Sequence, residues 1–296
     1  MEEIIAKTLL TRNKNADYWF GNDYNVNFYR GCNHGCIYCD SRSECYRNDD
    51  FDTVKPKKDA LLLFERELMK KRYKGIVGVG AMSDSYNALE EKLHITKGAL
   101  ELIAKYGFGV SLSTKSANVC RDLELFKEIQ KRNNVIIQIT ITTADDELAR
   151  KIEVNASSSS ERFEAIRTLN EAGICAGVLM TPILPFVNDT IENTEKIVEL
   201  AHKNKASFIY PLFGVTLRDR QRDYFYDKVS EIDVNLPAMY KRTFNERYLC
   251  NSLNEAELYR HFVRLCTEYA IPYKMKDIIM GYKKKITDNE QICLFP

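Results

Sequence analysis

Six short runs rich in apolar residues alternate with amphipathic helical stretches along the first two thirds of this chain. The predicted strands are residues 26–28, 75–81, 109–113, 135–140, 174–180 and 208–210. The predicted helices include residues 58–73, 94–106, 122–132, 159–172 and 190–203. This alternation predicts an α/β fold, because parallel strands need crossover connections and helices supply them.

An open doubly wound sheet and a barrel both fit this alternation, and the polar residues distinguish them. Nearly every predicted strand ends in a small polar cluster that core packing does not require, namely residues 81–84, 113–116, 140–143 and 180–182. In α/β barrels the strand ends converge on one mouth, where sites are built. The sequence therefore predicts a partial (β/α)6 barrel of the TIM type.

The pattern changes after about residue 211, where the periodicity becomes helical over residues 218–232, 236–248 and 254–269. We therefore expect a barrel core with its N-terminal lead-in over residues 1–215 and a helical C-terminal extension with a tail over residues 216–296. We expect these helices to cover the open side of the barrel or the substrate opening.

Composition limits the class of protein. Of 296 residues, 45% are hydrophobic and 29% are charged, which is typical of a soluble globular protein with a large core. No apolar run approaches the ~20 residues that span a bilayer, and the N-terminus lacks a signal-peptide pattern, so we expect a cytoplasmic protein with no membrane partner. The net charge of +1 excludes a globally basic nucleic-acid binder, although a local basic groove remains open.

Three of the nine cysteines stand close together, in a CxxxCxxC motif formed by Cys32, Cys36 and Cys39. An odd number of cysteines, mostly isolated, does not resemble a secreted disulfide framework. Three thiolates on one loop suit a [4Fe–4S] cluster that keeps one iron free of protein ligands. We therefore expect a metal centre on this loop.

The residues around the three cysteines leave one alternative open. Gly31 and Gly35 fit a loop that wraps a cluster, because the backbone turns there would be obstructed by a Cβ atom. A structural zinc site takes four ligands, and His34 or Cys45 could complete one.

The cysteine spacing is that of the radical S-adenosylmethionine (SAM) enzymes. Five segments resemble the spore photoproduct lyase family, also described as DNA repair photolyase-like, namely those around residues 32–39, 83–86, 114–116, 139–153 and 181–189. The resemblance extends over about residues 20–215 and is much weaker beyond them.

This resemblance implies two cofactors, a [4Fe–4S] cluster on Cys32, Cys36 and Cys39 and a SAM molecule that the free iron chelates through its amino and carboxylate groups. Electron transfer into the sulfonium would then give a 5′-deoxyadenosyl radical, which removes a hydrogen atom from the substrate. An electron donor such as flavodoxin or ferredoxin is implied as a partner.

The same resemblance implies a set of SAM contacts. Ser83 and Asp84 would stand near the amino and ribose groups, and Lys115 would pair with the carboxylate. Thr140 would hydrogen-bond SAM from the fourth strand, and Tyr38 would place its backbone by the adenine. Each residue has a simpler alternative: a cap of the following helix for the Ser-Asp pair, a solvated lysine, and an ordinary strand threonine.

Three polar residues near the motif are expected to be structural. A salt bridge between Glu153 and Arg162 on the barrel rim is favoured over a role in bracketing the site. His34 is predicted to be a loop residue that faces solvent.

The chain departs from spore photoproduct lyases at one position. In those enzymes a cysteine just ahead of the Ser-Asp pair returns a hydrogen atom to the product radical, whereas here the position holds Ala81 or, at nearest, Met82. Neither can donate, so the catalytic hydrogen donor is unknown. Cys45 is a candidate donor from another direction, and an inert thiol is the alternative. The remaining isolated cysteines are expected to be buried apolar residues, namely Cys120, Cys175, Cys250 and Cys266.

Two features favour DNA as the substrate class. Residues 218–226 interleave arginines with aromatic residues, as phosphate-contacting and base-stacking surfaces do, and residues 70–74 and 283–285 add basic patches, although solvated faces explain each of them too. The C-terminal segment resembles the peptide by which bacterial repair proteins dock on the DNA sliding clamp, with the residues Gln291, Ile292, Cys293, Leu294 and Phe295.

Three hypotheses follow. The first is a radical SAM enzyme that acts on DNA, in lesion repair or modification. The second is a radical SAM enzyme that modifies a peptide, RNA or small molecule, since fold does not fix function. The third is a non-catalytic iron–sulfur or zinc module.

Overall fold

A computed structural model describes residues 2–15 and 18–283 of the chain. Its strands in chain order are β1 (Thr11–Arg12), β2 (Tyr24–Val26), β3 (Tyr29–Arg30), β4 (Lys55–Pro56), β5 (Ile76–Val79), β6 (Gly109–Thr114), β7 (Val135–Thr140), β8 (Cys175–Met180), β9 (Ile209–Pro211), β10 (Gly214–Thr216) and β11 (Leu249–Asn251). Its helices are α1 (Ala60–Met69), α2 (Glu90–Leu93), α3 (Ile95–Lys105), α4 (Leu123–Arg132), α5 (Asp146–Ile152), α6 (Ser159–Glu171), α7 (Ile191–Lys203), α8 (Asp219–Ser230), α9 (Leu236–Phe244), α10 (Glu255–Glu268) and α11 (Met275–Tyr282).

One seven-stranded sheet in the order β1-β2-β5-β6-β7-β8-β9 organises the molecule. The strands from β2 to β9 in this order pair in parallel, and only β1 is antiparallel. Helices α1, α3, α4, α6 and α7 lie in the crossovers between the parallel strands. This arrangement confirms the predicted partial (β/α)6 barrel.

The central strands form because their sequences can be buried on both faces. All six residues of β7 are buried, and so are all four residues of β5. Helices α6 and α7 begin at side-chain caps. At α6 the Ser158 hydroxyl accepts from the amide of Glu161 and Glu161 accepts from the amide of Ser158, and at α7 the Thr190 hydroxyl accepts from the amide of Asn193.

The two ends of the barrel differ. At the amino ends of the strands, α11 packs an apolar cluster against the sheet, with Ile278 and Tyr282 among residues such as Ile76, Ile136 and Phe208. Inside the barrel, Gln138 hydrogen-bonds Ser111 and Ser113 of the neighbouring strand, at 3.0 and 2.8 Å. The carboxyl ends remain open to a cavity. Helix α11 was not among the predicted helices.

The region after the barrel includes the three expected helices and also a two-stranded antiparallel sheet, in which β10 pairs with β11 across the two intervening helices α8 and α9. Helix α10 packs on α7. Helices α8 and α9 share an apolar cluster with the cysteine loop, in which Phe225, Tyr240 and Phe244 meet Ile37 and Tyr38. The region therefore packs directly against the CxxxCxxC segment.

No helix in the described part of the chain is long and apolar enough to cross a bilayer.

Candidate active site

A cavity of about 320 Å³ lies at the carboxyl ends of the strands. It is lined by residues from the cysteine loop and from the ends of β5, β6, β7 and β8. Seven of the predicted site residues line it, namely Cys32, Cys36, Cys39, Ser83, Asp84, Lys115 and Thr140. The topology thus brings together groups that are more than 100 positions apart in the sequence.

Backbone contacts hold the cysteine loop on two sides. The amide of Cys32 donates to the carbonyl of Phe51 at 2.8 Å, and the amide of Ile37 donates to the carbonyl of Ile152 at 3.0 Å. Gly31 has a φ of +78°, and a Cβ there would collide with the carbonyl oxygens of Phe51 and Thr53. Glycine is therefore required at this turn, as the sequence predicts.

The three thiols are buried or nearly so. Burial raises the pKa of the Cys32 thiol to about 11, with a further contribution from Asp84. Burial also raises the pKa of Cys36 and Cys39, against the opposing effect of the Lys115 ammonium. Such thiols are poor anions in isolation, and a cationic metal centre is the kind of group that keeps them as thiolates.

The donor set fits an iron–sulfur cluster bound by three cysteines. No group of three or more His, Cys, Asp or Glu side chains among residues 2–15 and 18–283 is close enough to hold a single metal ion. In a four-iron cluster each cysteine binds a different iron, so its sulfurs are not expected to converge on one point.

Asp84 connects the ends of β5 and β6. Its carboxylate accepts from the Thr114 hydroxyl at 2.7 Å, from the Lys115 amide at 2.8 Å and from the Tyr86 amide at 2.9 Å. The Ser83 hydroxyl donates to the carbonyl of Gly31. The helical cap considered as an alternative is wrong, because α2 begins only at Glu90.

The ammonium of Lys115 has no hydrogen bond or ion pair within the part of the chain that the structure describes. It lies over the Tyr38 ring, with 5.7 Å between nitrogen and ring centroid. Burial alone would lower the pKa of Lys115. The acidic groups around it, chiefly Cys36 and Glu153, reverse this effect and raise the pKa. A cation that lines the cavity and lacks a partner is suited to an anionic ligand.

Behind the loop lies an ion pair that is completely inaccessible to solvent. Arg162 Nη2 is 2.6 Å from Glu153 Oε2, and both side chains are 0% exposed. The Tyr38 hydroxyl donates to Glu153, and Arg162 Nη1 donates to the carbonyl of Thr140 at 2.7 Å. Although burial raises the pKa of Glu153, Arg162 and then Lys115 lower it overall. The predicted salt bridge exists, but its place on the rim was wrong.

Tyr38 does not line the cavity with its side chain. Its ring is buried, and its backbone carbonyl accepts from the amide group of Gln221 on α8 at 3.2 Å. This carbonyl therefore has a protein partner, and its place by the adenine stays a prediction.

The expectation that His34 faces solvent was wrong. The side chain is only 4% exposed and lines the cavity, with Nδ1 3.8 Å from Asp84 Oδ2. The loop folds back over the strand ends, and this fold carries the residue between two cysteines inward. The spacing of the three cysteines alone cannot reveal that the loop folds back in this way.

Sequence reasoning also missed Trp19. This residue lines the cavity and is 41% exposed, so its indole lies where the cavity opens. It belongs to the N-terminal lead-in and to no motif. Its being the only tryptophan of the chain was the one available signal.

The arginines of residues 218–226 are not free to contact nucleic acid. Arg218 pairs with Asp40 and Arg220 with Asp49, both at 2.6 Å. Arg222 is buried and donates to the carbonyls of residues 217, 245 and 247. Arg218 and Arg220 therefore connect the start of α8 to the segment after the third cysteine.

The other predicted surface features have mixed outcomes. In residues 70–74, Lys71 and Lys74 lie over the rings of Tyr24 and Phe108. Residues 284–285 and the clamp-like segment 291–295 lie outside the described residues. Cys45 is exposed and does not line the cavity. The remaining cysteines differ: Cys250 and Cys266 are buried as expected, whereas Cys120 and Cys175 are only partly buried.

Comparison with known proteins identifies sequence relatives. The chain is 27% identical to the uncharacterized protein Rv2578c of Mycobacterium tuberculosis over 249 residues, which cover 82% of this chain and 73% of that protein. It is 31% identical to the uncharacterized protein MJ0683 of Methanocaldococcus jannaschii over 172 residues, which cover 57% of this chain and 63% of that protein.

Solved structures share the fold at low sequence identity. A spore photoproduct lyase complexed with dinucleoside spore photoproduct superposes with a TM-score of 0.66 at 15% identity, covering 90% of this chain and 78% of that one. The radical SAM methyltransferase TsrM from Kitasatospora setae, with tryptophan substrate and a SAM analogue bound, gives a TM-score of 0.55 at 12% identity, covering 81% and 51%.

Residues 26–201, which are more than half of the chain, match the radical SAM superfamily. This segment starts at the end of β2 and contains the cysteine loop and the cavity-lining ends of β5 to β8. The chain therefore belongs to the radical SAM superfamily, and it is an enzyme whose cofactors are a [4Fe–4S] cluster and SAM.

Proposed function

We propose that the 320 Å³ cavity binds the cluster and SAM together, and that DNA is the substrate of the radical chemistry. The observation that carries the first part is the convergence of three thiols and four strand-end polar residues on one cavity. When bound, the cofactors supply a 5′-deoxyadenosyl radical that abstracts a hydrogen atom from the substrate.

Each residue then has a defined task. Cys32, Cys36 and Cys39 hold the cluster. Lys115, an ammonium without a partner within the described ranges, pairs with the SAM carboxylate. The polar edge formed by Ser83, Asp84 and Thr140 orients the amino and ribose groups, and the backbone of Tyr38 contacts the adenine.

Two observations support DNA as the substrate. A solved structure that shares the fold is a spore photoproduct lyase complexed with dinucleoside spore photoproduct, and it superposes over 90% of the chain. The exposed indole of Trp19 at the cavity opening offers a flat surface, and aromatic side chains of this kind stack on bases of single-stranded or unstacked nucleic acid.

The reaction differs from that of spore photoproduct lyase in its last step. Ala81 and Met82 line the cavity and provide no thiol, so hydrogen return needs another donor or does not occur. We propose a different lesion repair or a modification of DNA. The exposed Cys45 lies outside the cavity lining and would need to approach from outside.

The region after the barrel has a supporting role in this proposal. We propose residues 1–215 as the catalytic core and residues 216–296 as an extension that braces the cysteine loop. The apolar cluster that Phe225 and Tyr240 share with the loop residue Ile37 supports this division of labour.

Anaerobic reconstitution of the full chain tests the proposal in two stages. After dithionite reduction with SAM, we expect 5′-deoxyadenosine to form. A full cluster without this product would leave only a binding role.

In the second stage, the reaction receives single-stranded DNA, duplex DNA or ultraviolet-irradiated DNA, with RNA and peptide libraries as comparison. We expect DNA to accelerate 5′-deoxyadenosine formation and to change in mass. Acceleration by RNA or peptide alone would contradict the DNA assignment while leaving the radical chemistry intact.

The sliding-clamp contact through residues 291–295 is a separate proposal. Removal of residues 291–296 should abolish pulldown by a bacterial clamp. Equal pulldown with and without these residues, or none by the full chain, would contradict it.

A further inference from the structure

A second cavity of about 160 Å³ lies directly beside the SAM cavity. The two cavities share Ser41 and Met82 in their linings, so one wall separates them. We call it the side cavity and define it by Tyr29, Arg30, Tyr46, Phe51 and Lys57, together with the shared pair.

Two cations line the side cavity, and none of the residues recorded in its lining is acidic. Arg30 lies on β3 and Lys57 directly follows β4, the strand that pairs with β3. Among the described residues, the Arg30 guanidinium donates to the backbone carbonyl of Arg47 and to no other group. Over the described ranges 2–15 and 18–283, the Lys57 ammonium has neither a hydrogen bond nor an ion pair. The neighbouring Lys55, by contrast, is neutralised by Glu2 at 2.8 Å and Asp50 at 3.7 Å.

The Lys57 ammonium therefore lies in a positively charged environment. Burial lowers the pKa of Lys57, and the charge of Arg30 lowers it further. Glu67 opposes this effect, but its carboxylate already accepts from the amides of Leu9 and Leu10, at 3.1 and 2.6 Å. A partly buried ammonium without a counter-ion is costly, and an anion in the cavity would offset that cost.

The size of the side cavity limits what that anion can be. Sites for whole drug-sized ligands occupy roughly 300–1,000 Å³, so this volume holds a single group and not a nucleoside. Arginine and lysine side by side are typical of phosphate recognition, where the guanidinium supplies directed donors and the ammonium a point charge.

We propose that the side cavity binds one phosphate of a DNA strand between Arg30 and Lys57, and that this contact selects which nucleotide faces the SAM cavity. The proposal rests on the proposed function, since it takes DNA as the substrate. We call this phosphate contact the anchor. Because only the wall of Ser41 and Met82 separates the two cavities, the nucleotide next to the bound phosphate is the one that reaches the opening of the SAM cavity.

Lys57 is the better residue to test. Arg30 lies two residues before Cys32, so its replacement would disturb the cluster loop. The Lys57→Met variant removes the charge and keeps the aliphatic stem, and Lys58→Met is the matched control, because Lys58 is exposed and outside the side cavity.

The measurement is fluorescence anisotropy of a labelled single-stranded oligonucleotide on the cluster-loaded enzyme at several salt concentrations. We expect Lys57→Met to reduce the slope of log affinity against log salt by about 0.7, as the loss of one phosphate contact does for single strands. Lys58→Met should change this slope much less. Equal slopes for the two variants would overturn the phosphate site.

A second measurement begins with the unmodified enzyme, so that its first result does not depend on a variant that folds. Oligonucleotides in which one phosphate at a time is a neutral methylphosphonate should lose affinity at one position, and Lys57→Met should be insensitive to that position. Loss spread evenly along the strand would contradict the anchor.

The outcomes separate the two proposals. No binding of any DNA by the unmodified enzyme contradicts the DNA substrate itself. Binding of DNA without a position that depends on Lys57 contradicts only the side cavity. Competition by inorganic phosphate that is as strong as that of the oligonucleotide would assign the site to free phosphate and overturn the anchor.

Discussion

The two ends of the barrel are built from the same strands and do opposite things. At the amino ends, Ile76, Ile136 and Phe208 pack against α11 in an apolar cluster. At the carboxyl ends, the segments that follow β5 and β6 supply Asp84, Lys115 and their polar neighbours, which line the SAM cavity. The strand interiors alone do not decide which end is functional; the residues that follow each strand do.

The ends also differ in how they tolerate charge. The carboxyl ends bury a complete ion pair and a lysine without a partner in the described ranges, whereas Ile278 and Tyr282 at the amino ends pack among apolar side chains. We therefore expect mutations at the amino ends to affect stability alone, and mutations at the carboxyl ends to affect activity as well.

Removal of a cluster ligand should have the largest effect. Cys36→Ser should reduce 5′-deoxyadenosine formation to background, because a serine hydroxyl does not replace a thiolate on iron. Iron content and product formation after anaerobic reconstitution check this. Cys120→Ala is the control, because Cys120 is partly buried, donates to the carbonyl of Ala165 and does not line the cavity; equal loss in both variants would contradict the assignment of the ligands.

Breaking the buried ion pair should be next. Glu153→Gln leaves Arg162 charged and completely buried, so the free energy of unfolding should fall by about 3–5 kcal/mol. Urea unfolding of the apo protein measures it. The control is Glu164→Gln on α6, the helix that carries Arg162, because it breaks the exposed ion pair with Arg167 and should lower the free energy of unfolding by less than about 1 kcal/mol. Similar losses in the two variants would contradict the role of burial.

A core truncation at the amino ends should destabilise without inactivating. Ile278→Ala should lower the free energy of unfolding by about 2 kcal/mol through lost burial and a cavity, while the rate of SAM cleavage by folded enzyme stays unchanged. Met280→Ala on the same helix is the control, since Met280 is 65% exposed. A changed cleavage rate in Ile278→Ala would break the separation of the two ends.

The smallest effect concerns the cavity opening. Trp19→Ala should weaken the binding of single-stranded DNA by about 1 kcal/mol, roughly fivefold, through lost stacking. Anisotropy titrations check this, with Tyr259→Ala on α10 as an exposed aromatic control outside the cavity. Unchanged affinity in Trp19→Ala would remove the stacking surface from the proposal.

The sequence was most informative where local pattern and final environment coincide. The long strands β6 to β8 were predicted nearly to the residue, because apolar runs buried on both faces carry a strong signal. The cysteine loop and the strand ends were found because their residue types are unsuited to a core. All these residues lie at the carboxyl ends, as the barrel geometry requires.

The failures share a physical cause, which is tertiary contact. His34 is buried because its loop folds back, and Arg218 and Arg220 find carboxylates more than 170 positions away. Helix α11 was missed although Met275, Ile278, Ile279 and Tyr282 follow helical spacing, because the segment is only eight residues long and contains Gly281. Its apolar face packs against the barrel end that it covers. None of these partners is visible in a local window.

The link between α8 and the cysteine loop has a consequence for protein engineering. Gln221 donates to the carbonyl of Tyr38, while Arg218 and Arg220 pair with Asp40 and Asp49. In a chimera whose helices α8 and α9 come from a homologue, these two acids would lose their partners unless residues 40–49 come from the same homologue. The two stretches form one structural unit, although the strands β5 to β9 lie between them in the sequence.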